Sequence, residues 1–238
     1  MPVSHTHYLP LTPVVFGILF VVVAGLLILI QLKVLRYAYM RLGLSSQGAF
    51  LLLLGSLIGS YFNIPVAMIP GQHVTGQIVH MFGMDYVIPH VDAWPGTVIA
   101  VNVGGAVIPV LMSTYLLLRY GVWLSAAIAT AIVAAVIHAL ANPVPGLGIA
   151  VPIFAPALIT SITAFLLSRY YAPQIAYIAG SMGTLIGADL TNLDKIGGLG
   201  APIASIGGAG TFDGIFVTGI LAVLLASITS PGPAPRMR

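Results

Sequence analysis

The chain has no cysteine and no glutamate, and it carries few charges of either sign. Without cysteine there is no disulfide, no zinc–thiolate site and no thiol nucleophile. Only 5% of the 238 residues are charged and 59% are hydrophobic, whereas soluble domains carry about 25% charged residues. The composition therefore predicts a multi-pass protein of a cell membrane, whose main partner is the lipid bilayer. Its eight basic residues are topology signals first, and nothing indicates binding to nucleic acid.

Apolar stretches that approach the roughly 20 residues needed to span a bilayer occur seven times. They are Val14–Leu32, Gly48–Ile64, Val98–Leu118, Val122–Leu140, Ile149–Ser168, Gln174–Leu193 and Ala204–Ile228. They predict an all-α integral membrane protein with about seven helices in one transmembrane domain, residues 1–238, ending in a flexible tail at 229–238. We interpret the first stretch as a retained span, because no positive segment precedes it and no small-residue cleavage site follows it.

Basic residues predict the orientation of these spans. If the N-terminus lies outside the cell, the inner segments hold seven of the eight basic residues and only Lys195 falls outside. Lys and Arg concentrate in cytoplasmic loops. The sequence therefore predicts an outer N-terminus and an inner C-terminus.

The longest stretch between predicted spans, residues 65–97, lies on the outer side in this orientation. Val74–Phe82 and Tyr86–Val91 alternate in part between apolar and polar residues, around a Gly83-Met84-Asp85 turn. This pattern predicts a small external hairpin between helices 2 and 3.

The same outer stretch contains His73, His80, His90 and Asp92. Imidazole and carboxylate groups suit zinc or another divalent metal, but the spacing matches no compact motif such as His-Glu-x-x-His. We therefore assign no metal and no cofactor from the sequence.

Two parts of the chain are similar to each other. Gly55–Asn63 reads GSLIGSYFN and Gly183–Thr191 reads GTLIGADLT, and each precedes an outer loop and then Gly-Gly-Ala, at Gly104–Ala106 and Gly207–Ala209. Parallel repeats are a known transporter plan, and we predict two three-helix copies joined by a fourth span. The alternative is chance similarity between glycine-rich apolar segments.

Asp189 and Asp213 are the predicted catalytic residues. Asp213 lies inside an apolar run, where an ionised side chain costs about 2.5–3.5 kcal/mol on insertion scales. If the two carboxylates meet, they share one proton, and such a dyad can activate water for hydrolysis. The alternatives are a helix cap for Asp213 and a polar helix end beside Lys195 for Asp189. The two carboxylates can come into contact only if the helix is unwound at Gly207–Gly210, at the start of the last span.

Polar and glycine residues near the predicted helix breaks are candidate substrate contacts. This set comprises Asn102, Gly104, Gly105, Asn192, Gly207, Gly208 and Gly210. The alternative for the two asparagines is an amide that bridges helices, a modest contribution of about 0.6 kcal/mol. His138, within the fourth span, is expected to be a hydrogen-bonded packing residue, with a proton relay as the alternative.

Two resemblances follow from these residues. Gly208–Leu225 (GAGTFDGIFVTGILAVLL) resembles the Gly-x-Gly-Asp segment of presenilin and signal peptide peptidase type intramembrane aspartyl proteases, although Thr211 and Phe212 separate Gly210 from Asp213. Such a resemblance implies a peptide substrate.

A wider resemblance is to an uncharacterised membrane protein family of bacteria and archaea, catalogued as a domain of unknown function, and it implies no activity. It is carried by residues 187–216, Ala100–Val110 (AVNVGGAVIPV) and Pro143–Pro152 (PVPGLGIAVP).

Three functions stay open from the sequence. The first is an intramembrane aspartyl hydrolase that uses Asp189 and Asp213 on a peptide substrate. The second is a small-solute or ion transporter built from two three-helix repeats, with Asp213 as the proton or cation carrier. The third is a membrane scaffold without chemistry.

Overall fold

A computed structural model gives the arrangement of the chain. It describes residues 32–81, 84–144, 148–152, 154–198, 203–208 and 214–230, and the single positions 21, 25 and 28. For residues 70–81 and 84–95 the description is of the backbone and the strand register. The predicted span Val14–Leu32 lies almost wholly outside the described residues, as does the tail from 231 to 238.

Seven helices form most of the described part of the chain. They are α1 (Leu32–Arg41), α2 (Ser46–Gly59), α3 (Ile108–Tyr120), α4 (Trp123–Leu140), α5 (Phe154–Leu167), α6 (Ala172–Thr184) and α7 (Gly214–Thr229). Local sequence signals define several ends. The hydroxyl of Ser45 accepts a hydrogen bond from the Gly48 amide at the start of α2, as an N-cap does. Gly121, with φ of 66°, ends α3 in the left-handed conformation common after helices.

Helix α6 is the centre of the bundle, because it packs against α3, α4, α5 and α7 and is buried along almost its whole length. It approaches α7 closely through two glycines. A Cβ on Gly180 would lie 3.2 Å from the Gly219 Cα, and one on Gly219 would lie 2.7 Å from the Ser181 Oγ. Small residues at such crossings let helix backbones pack tightly, as in membrane helix pairs.

Two described helical segments have the length and apolar composition to cross a membrane, Val103–Tyr120 and Trp123–Leu140. A third candidate is the pair Leu32–Arg41 and Ser46–Gly59, if the two helices count as one span bent by 117°. Phe154–Leu167 and Thr218–Ile228 are apolar but shorter. Helical, apolar character is therefore confirmed, and the full topology remains a prediction.

A sheet of three strands stands at one end of the bundle. Strand β1 (Asn63–Met81) pairs antiparallel with β2 (Met84–Asn102), and β2 pairs parallel with the short strand β5 (Ile203–Ile206) through Val98–Val101. The predicted hairpin between α2 and α3 is confirmed, but it is longer than expected, since pairing continues up to Met81 opposite Met84. Strands β3 (Asn142–Val144) and β4 (Gly148–Ala150) form a second hairpin where the sequence contains PVPGLG.

The boundaries predicted for several spans are wrong, because parts of these segments are strands or end earlier than expected. Val98–Leu118 and Ala204–Ile228 each begin as a strand, and the helical part of Gly48–Ile64 ends at Gly59. Valine and isoleucine at these positions favour strands, and hydropathy alone does not separate a short apolar strand from a helix. Gln174–Leu193 starts as α6 and then widens into a π-helical turn, Leu185–Asp189, before a 3₁₀ segment, Leu190–Gly198.

Arginine side chains gather at the opposite end of the bundle. Arg41 donates hydrogen bonds to the carbonyls of Ser227 and Ser230 at the end of α7, each at 3.2 Å. Arg119 lies over the ring of Tyr120, whose hydroxyl donates to the Leu42 carbonyl. The hydroxyl of Ser230 in turn donates to the carbonyl of Arg169. Three basic residues from separate segments therefore share one end of the molecule.

Candidate functional site: a junction of two glycine turns

The first glycine turn follows strand β2 and leads into α3. Residues Val103–Val107 form one π-helical turn whose N-cap is the buried Asn102. The side-chain oxygen of Asn102 accepts a hydrogen bond from the Gly105 amide at 2.8 Å. The side-chain NH₂ group donates to the Ser60 carbonyl at 2.7 Å and to the Asn63 side chain at 3.1 Å. One amide therefore ties the turn to the end of α2.

Close backbone packing against α2 requires glycine in this turn. A Cβ on Gly104 would collide with the backbone of Ser56 and Ser60, and one on Gly59 would lie 3.0 Å from the Gly104 amide nitrogen. Because the neighbours are backbone atoms, no rotamer change would relieve the contact. The Gly-Gly sequence is a packing requirement here.

The second glycine turn, at Gly207 and Gly208, ends strand β5. Both residues have positive φ, 92° and 84°, which glycine adopts at little cost. Gly207 lies directly against the first turn, since a Cβ there would be 2.6 Å from the Ala106 amide nitrogen. The expected unwinding before the last helix is thus present over the described residues 203–208, as strand and turn.

Asp189 reaches this second turn from the end of α6. Its Oδ2 accepts a hydrogen bond of 2.7 Å from the Gly207 amide, and the residue is half-buried. The widened turn Leu185–Asp189 is the segment that carries Asp189. π-helical turns are frequent at functional sites. The carboxylate therefore joins the end of α6 to the turn that precedes α7.

Side-chain hydrogen bonds also connect the two turns from the strand side. The Ser205 hydroxyl lies 2.6 Å from the Asn63 Oδ1 and 2.7 Å from the Gly208 carbonyl. Asn63 is itself bonded to Asn102. We call this assembly of Asn63, Asn102, Gly104–Ala106, Asp189 and Ser205–Gly208 the glycine junction.

A neighbouring polar network braces the segment that carries Asp189. The side-chain NH₂ group of the fully buried Asn192 donates to the backbone carbonyls of Gly187 and Ala188. Its side-chain oxygen accepts from the Lys195 ammonium at 2.6 Å. His138 Nδ1 lies 2.8 Å from the Thr191 hydroxyl, so the expected hydrogen bond of His138 is present, although its side chain is exposed. Gly187 packs on α4, where a Cβ would lie 3.0 Å from the Ala134 Cα.

The structure brings together most of the predicted site residues. Asn102, Gly104, Gly105, Gly207, Gly208 and Asp189 all belong to the glycine junction, and Asn192 lies three residues beyond Asp189. Gly210 and Asp213 lie outside the described residues, so the Asp189–Asp213 dyad remains a prediction. Among the residues whose side chains are described, no three His, Cys, Asp or Glu residues gather in a way that could hold a metal ion.

Sequence reasoning missed two polar members of the junction, Asn63 and Ser205, and the neighbouring Ser60. Each lies immediately beside a predicted break, and their side chains or carbonyls satisfy groups that irregular backbone leaves unpaired. A Ser within two residues of glycine in an otherwise apolar segment is the signal that could have found Ser60 and Ser205, and no comparable signal marks Asn63. At the opposite end, the buried Gln174, which donates to the Arg41 carbonyl at 3.2 Å, was missed as well.

A family model described as a protein of unknown function (DUF1614) matches residues 57–225, which are 169 of the 238 residues. The matched range contains both glycine turns and Asp189. No curated protein and no solved structure matches the chain. The predicted resemblance to an uncharacterised family is confirmed, and the likeness to intramembrane aspartyl proteases receives no support.

Proposed function

We propose that this chain, which belongs to the DUF1614 family, is a multi-pass membrane protein that moves a small solute or ion through the glycine junction. Asp189 is its protonatable group. The observation that carries the proposal is the 2.7 Å hydrogen bond between the Asp189 carboxylate and the Gly207 amide. This bond links two chain breaks that contact each other.

Paired breaks in apolar segments are the first support. In transporters, substrate and coupling ions bind where discontinuous helices expose backbone groups and helix ends. Here the backbone leaves regular helix at Asn102–Val107 and at Ser205–Gly208, and both turns lie against each other at Gly105 and Gly207. Irregular backbone of this kind is tolerated within a membrane only where protein buries it or a polar cavity surrounds it.

The hydrogen bond of Asp189 gives the proposal a mechanism. A bond to a charged group is worth about 1.5–3 kcal/mol, whereas a neutral one is worth about 0.5–1.5 kcal/mol. Proton uptake by Asp189 therefore weakens the link to Gly207 and favours separation of the two glycine turns. Proton release restores the link. An opening that depends on the charge of one carboxylate is the element that couples proton movement to solute movement.

The distribution of charge supports the predicted orientation. Helices α2 and α6 end at the glycine junction, and α3 begins there. Arg41, Arg119 and Arg169 instead lie at the other end of the bundle. Since Lys and Arg favour the cytoplasmic side, the junction lies toward the outer face. Asp194 and Lys195 beside the junction are exposed, and Lys195 is the one basic residue that this orientation places outside.

The transporter proposal moves the protonatable role from Asp213 to Asp189. Asp189 contacts a glycine turn directly, whereas Asp213 is outside the described residues. The hydrolase needs a second carboxylate next to Asp189, and no observation on the described residues or from the comparisons favours it. A scaffold without transport is the competing outcome of the experiment.

The test is proton flux through the purified full-length protein in liposomes that contain a pH-sensitive dye. An imposed pH gradient should dissipate faster than in empty liposomes, and Asp189→Asn should abolish the difference. The asparagine carbonyl can still accept from the Gly207 amide, so this variant keeps a neutral hydrogen bond at this position and removes the carboxylate that takes up and releases the proton. Asp194→Asn is the matched control, because Asp194 is exposed and only five residues away.

Two results would refute the proposal. One is wild-type liposomes that leak no faster than empty ones at every gradient tested, which would favour the scaffold. The other is Asp189→Asn protein that conducts as well as Asp194→Asn protein. Thermal unfolding of both variants verifies that loss of flux does not come from loss of fold.

A further inference from the structure

The external hairpin has a regular outer part that no third strand covers within the described residues. Its pairing runs without interruption from Gly71 opposite Trp94 to Met81 opposite Met84, beyond two irregularities at Pro65/Ala67 and Ile69/Gly71. Strand β5 pairs only with Val98–Val101. Each strand has 19 residues, whereas most strands have about 3–10, and an isolated two-stranded hairpin is marginally stable in water. This outer part needs some further source of stability.

The strand register brings three residues that can bind metal, two histidines and one aspartate, close together on this ladder. His73 is paired directly with Asp92, and Thr75 is paired with His90. Successive residues of a strand alternate between faces, so His90 and Asp92 share one face of β2. His73 shares that face as the partner of Asp92. Sequence spacing alone did not show this, because His73 and His90 are 17 positions apart in the chain.

The distances implied by the register suit one metal ion. Residues directly opposite have Cβ atoms about 4.5–5.5 Å apart, and diagonal neighbours about 7–8 Å apart. Positions two apart on one strand are about 6.6 Å apart. A triangle of this size is within reach of imidazole and carboxylate ligands, whose bonds to zinc are about 2.0–2.2 Å long. Two imidazoles and one carboxylate also leave a fourth coordination position for water or another ligand.

We propose that His73, His90 and Asp92 form a binding site for zinc or a similar divalent transition metal on one face of the hairpin. The ion cross-links β1 to β2 and stabilises the two-stranded part. This site is separate from the glycine junction and does not depend on the transport proposal.

The chain contains a matched control for this site. His80 is paired with Asp85 on the same two strands, and its even position on β1 places it on the opposite face from His73. The His80 face has one imidazole and one carboxylate at paired positions and no third ligand type among the paired residues. It should therefore bind metal much more weakly.

The experiment is zinc titration of the full-length protein, purified with a tag that contains no histidine and stripped with a chelator. Calorimetry should show one zinc ion per chain for the wild type. His73→Ala, His90→Ala and Asp92→Asn should each weaken binding by about tenfold or more, since losing even an outer-shell partner of a ligand costs about 10–100-fold. His80→Ala and Asp85→Asn should leave the affinity within about twofold of the wild type, a bound set by the contrast with that tenfold loss.

A second readout is the stability of the hairpin. Zinc should protect the backbone amides of β1 and β2 from hydrogen exchange in the wild type and in His80→Ala, but not in His73→Ala. No stoichiometric zinc binding by the wild type would overturn the proposal. Binding that survives in the His73→Ala/His90→Ala double variant, or that His80→Ala weakens equally, would overturn it too, because the ion would then lie elsewhere.

Discussion

Replacing Gly105 with alanine tests whether the two glycine turns are held in contact. A Cβ at this position would collide with the carbonyl oxygen of Gly207 and lie 2.9 Å from its carbonyl carbon. Ordinary carbon contacts are about 3.5–4.0 Å long. Both obstacles are backbone atoms, so the turn before α3 and the turn after β5 must move apart.

The cost of Gly105→Ala has two parts. Overpacking a tightly packed site typically costs about 1–3 kcal/mol. Movement of Gly207 also stretches its hydrogen bond to Asp189, and a bond to a charged group is worth about 1.5–3 kcal/mol. Together they lower the free energy of unfolding by about 3–5 kcal/mol. At about 2–4 °C per kcal/mol for a chain of this size, the Tm falls by roughly 10 °C.

Thermal unfolding of purified protein in one detergent measures this change, with Gly55→Ala as the control. At Gly55 the nearest atom to a new Cβ is Ile108 Cδ1 at 3.7 Å, an ordinary contact. Alanine within a helix is favoured over glycine by about 0.5–1 kcal/mol, so Gly55→Ala should keep or slightly raise the Tm. The reasoning fails if the two variants melt within roughly 2 °C of each other, the equivalent of less than about 1 kcal/mol.

Three further substitutions probe the junction and the arginine end by the same unfolding measurement. Asn102→Ala removes three hydrogen bonds, two of them buried, and should lower the free energy of unfolding by about 2–4 kcal/mol. The exposed Asn142→Ala should lower it by under about 0.5 kcal/mol, and equal costs would contradict the capping role. Arg41→Ala frees two carbonyls at the end of α7 and should cost about 1–3 kcal/mol, whereas the exposed Arg36→Ala should be near neutral. Tyr120→Phe loses one bond to the Leu42 carbonyl and should cost about 1 kcal/mol; no change would exclude that bond as a stabilising contact.

The apolar runs and glycines of the sequence predict the helices well, because these signals are local. Val122–Leu140 was expected as a span and α4 occupies Trp123–Leu140. The two Gly-Gly-Ala segments were expected as breaks, and both glycine pairs lie in turns. Short apolar strands were not predicted, since Val98–Val101 and Ile203–Ile206 lie at the start of apolar stretches whose later parts are helical, and hydropathy alone does not separate the two.

The hydrogen-bond partner of Asp189 could not be predicted from the sequence, because it depends on packing between distant segments. The sequence identified Asp189 as a candidate and suggested Asp213 as its partner, but in the structure Asp189 accepts a hydrogen bond from a backbone amide 18 residues away. The backbone amide of any residue has the same chemistry, so no residue type marks Gly207 as the donor. The strand register of the hairpin is likewise not marked by any residue type. The pairing of His73 with Asp92 follows from a register in which Met81 is opposite Met84, whereas the sequence pattern predicted a turn that includes Met84.

The parallel pairing of β2 with β5 has a consequence for biogenesis. Val98 pairs with Ile203, a partner that is translated 105 residues later. At a synthesis rate of about 5–20 residues per second, this edge of β2 has no β5 to pair with for roughly 5–20 s. The first half of the chain, with its long hairpin, is therefore synthesised before the partner of this strand edge exists. Completion of the second half closes that edge, which makes this contact a late step of assembly, as contacts of high sequence separation generally are.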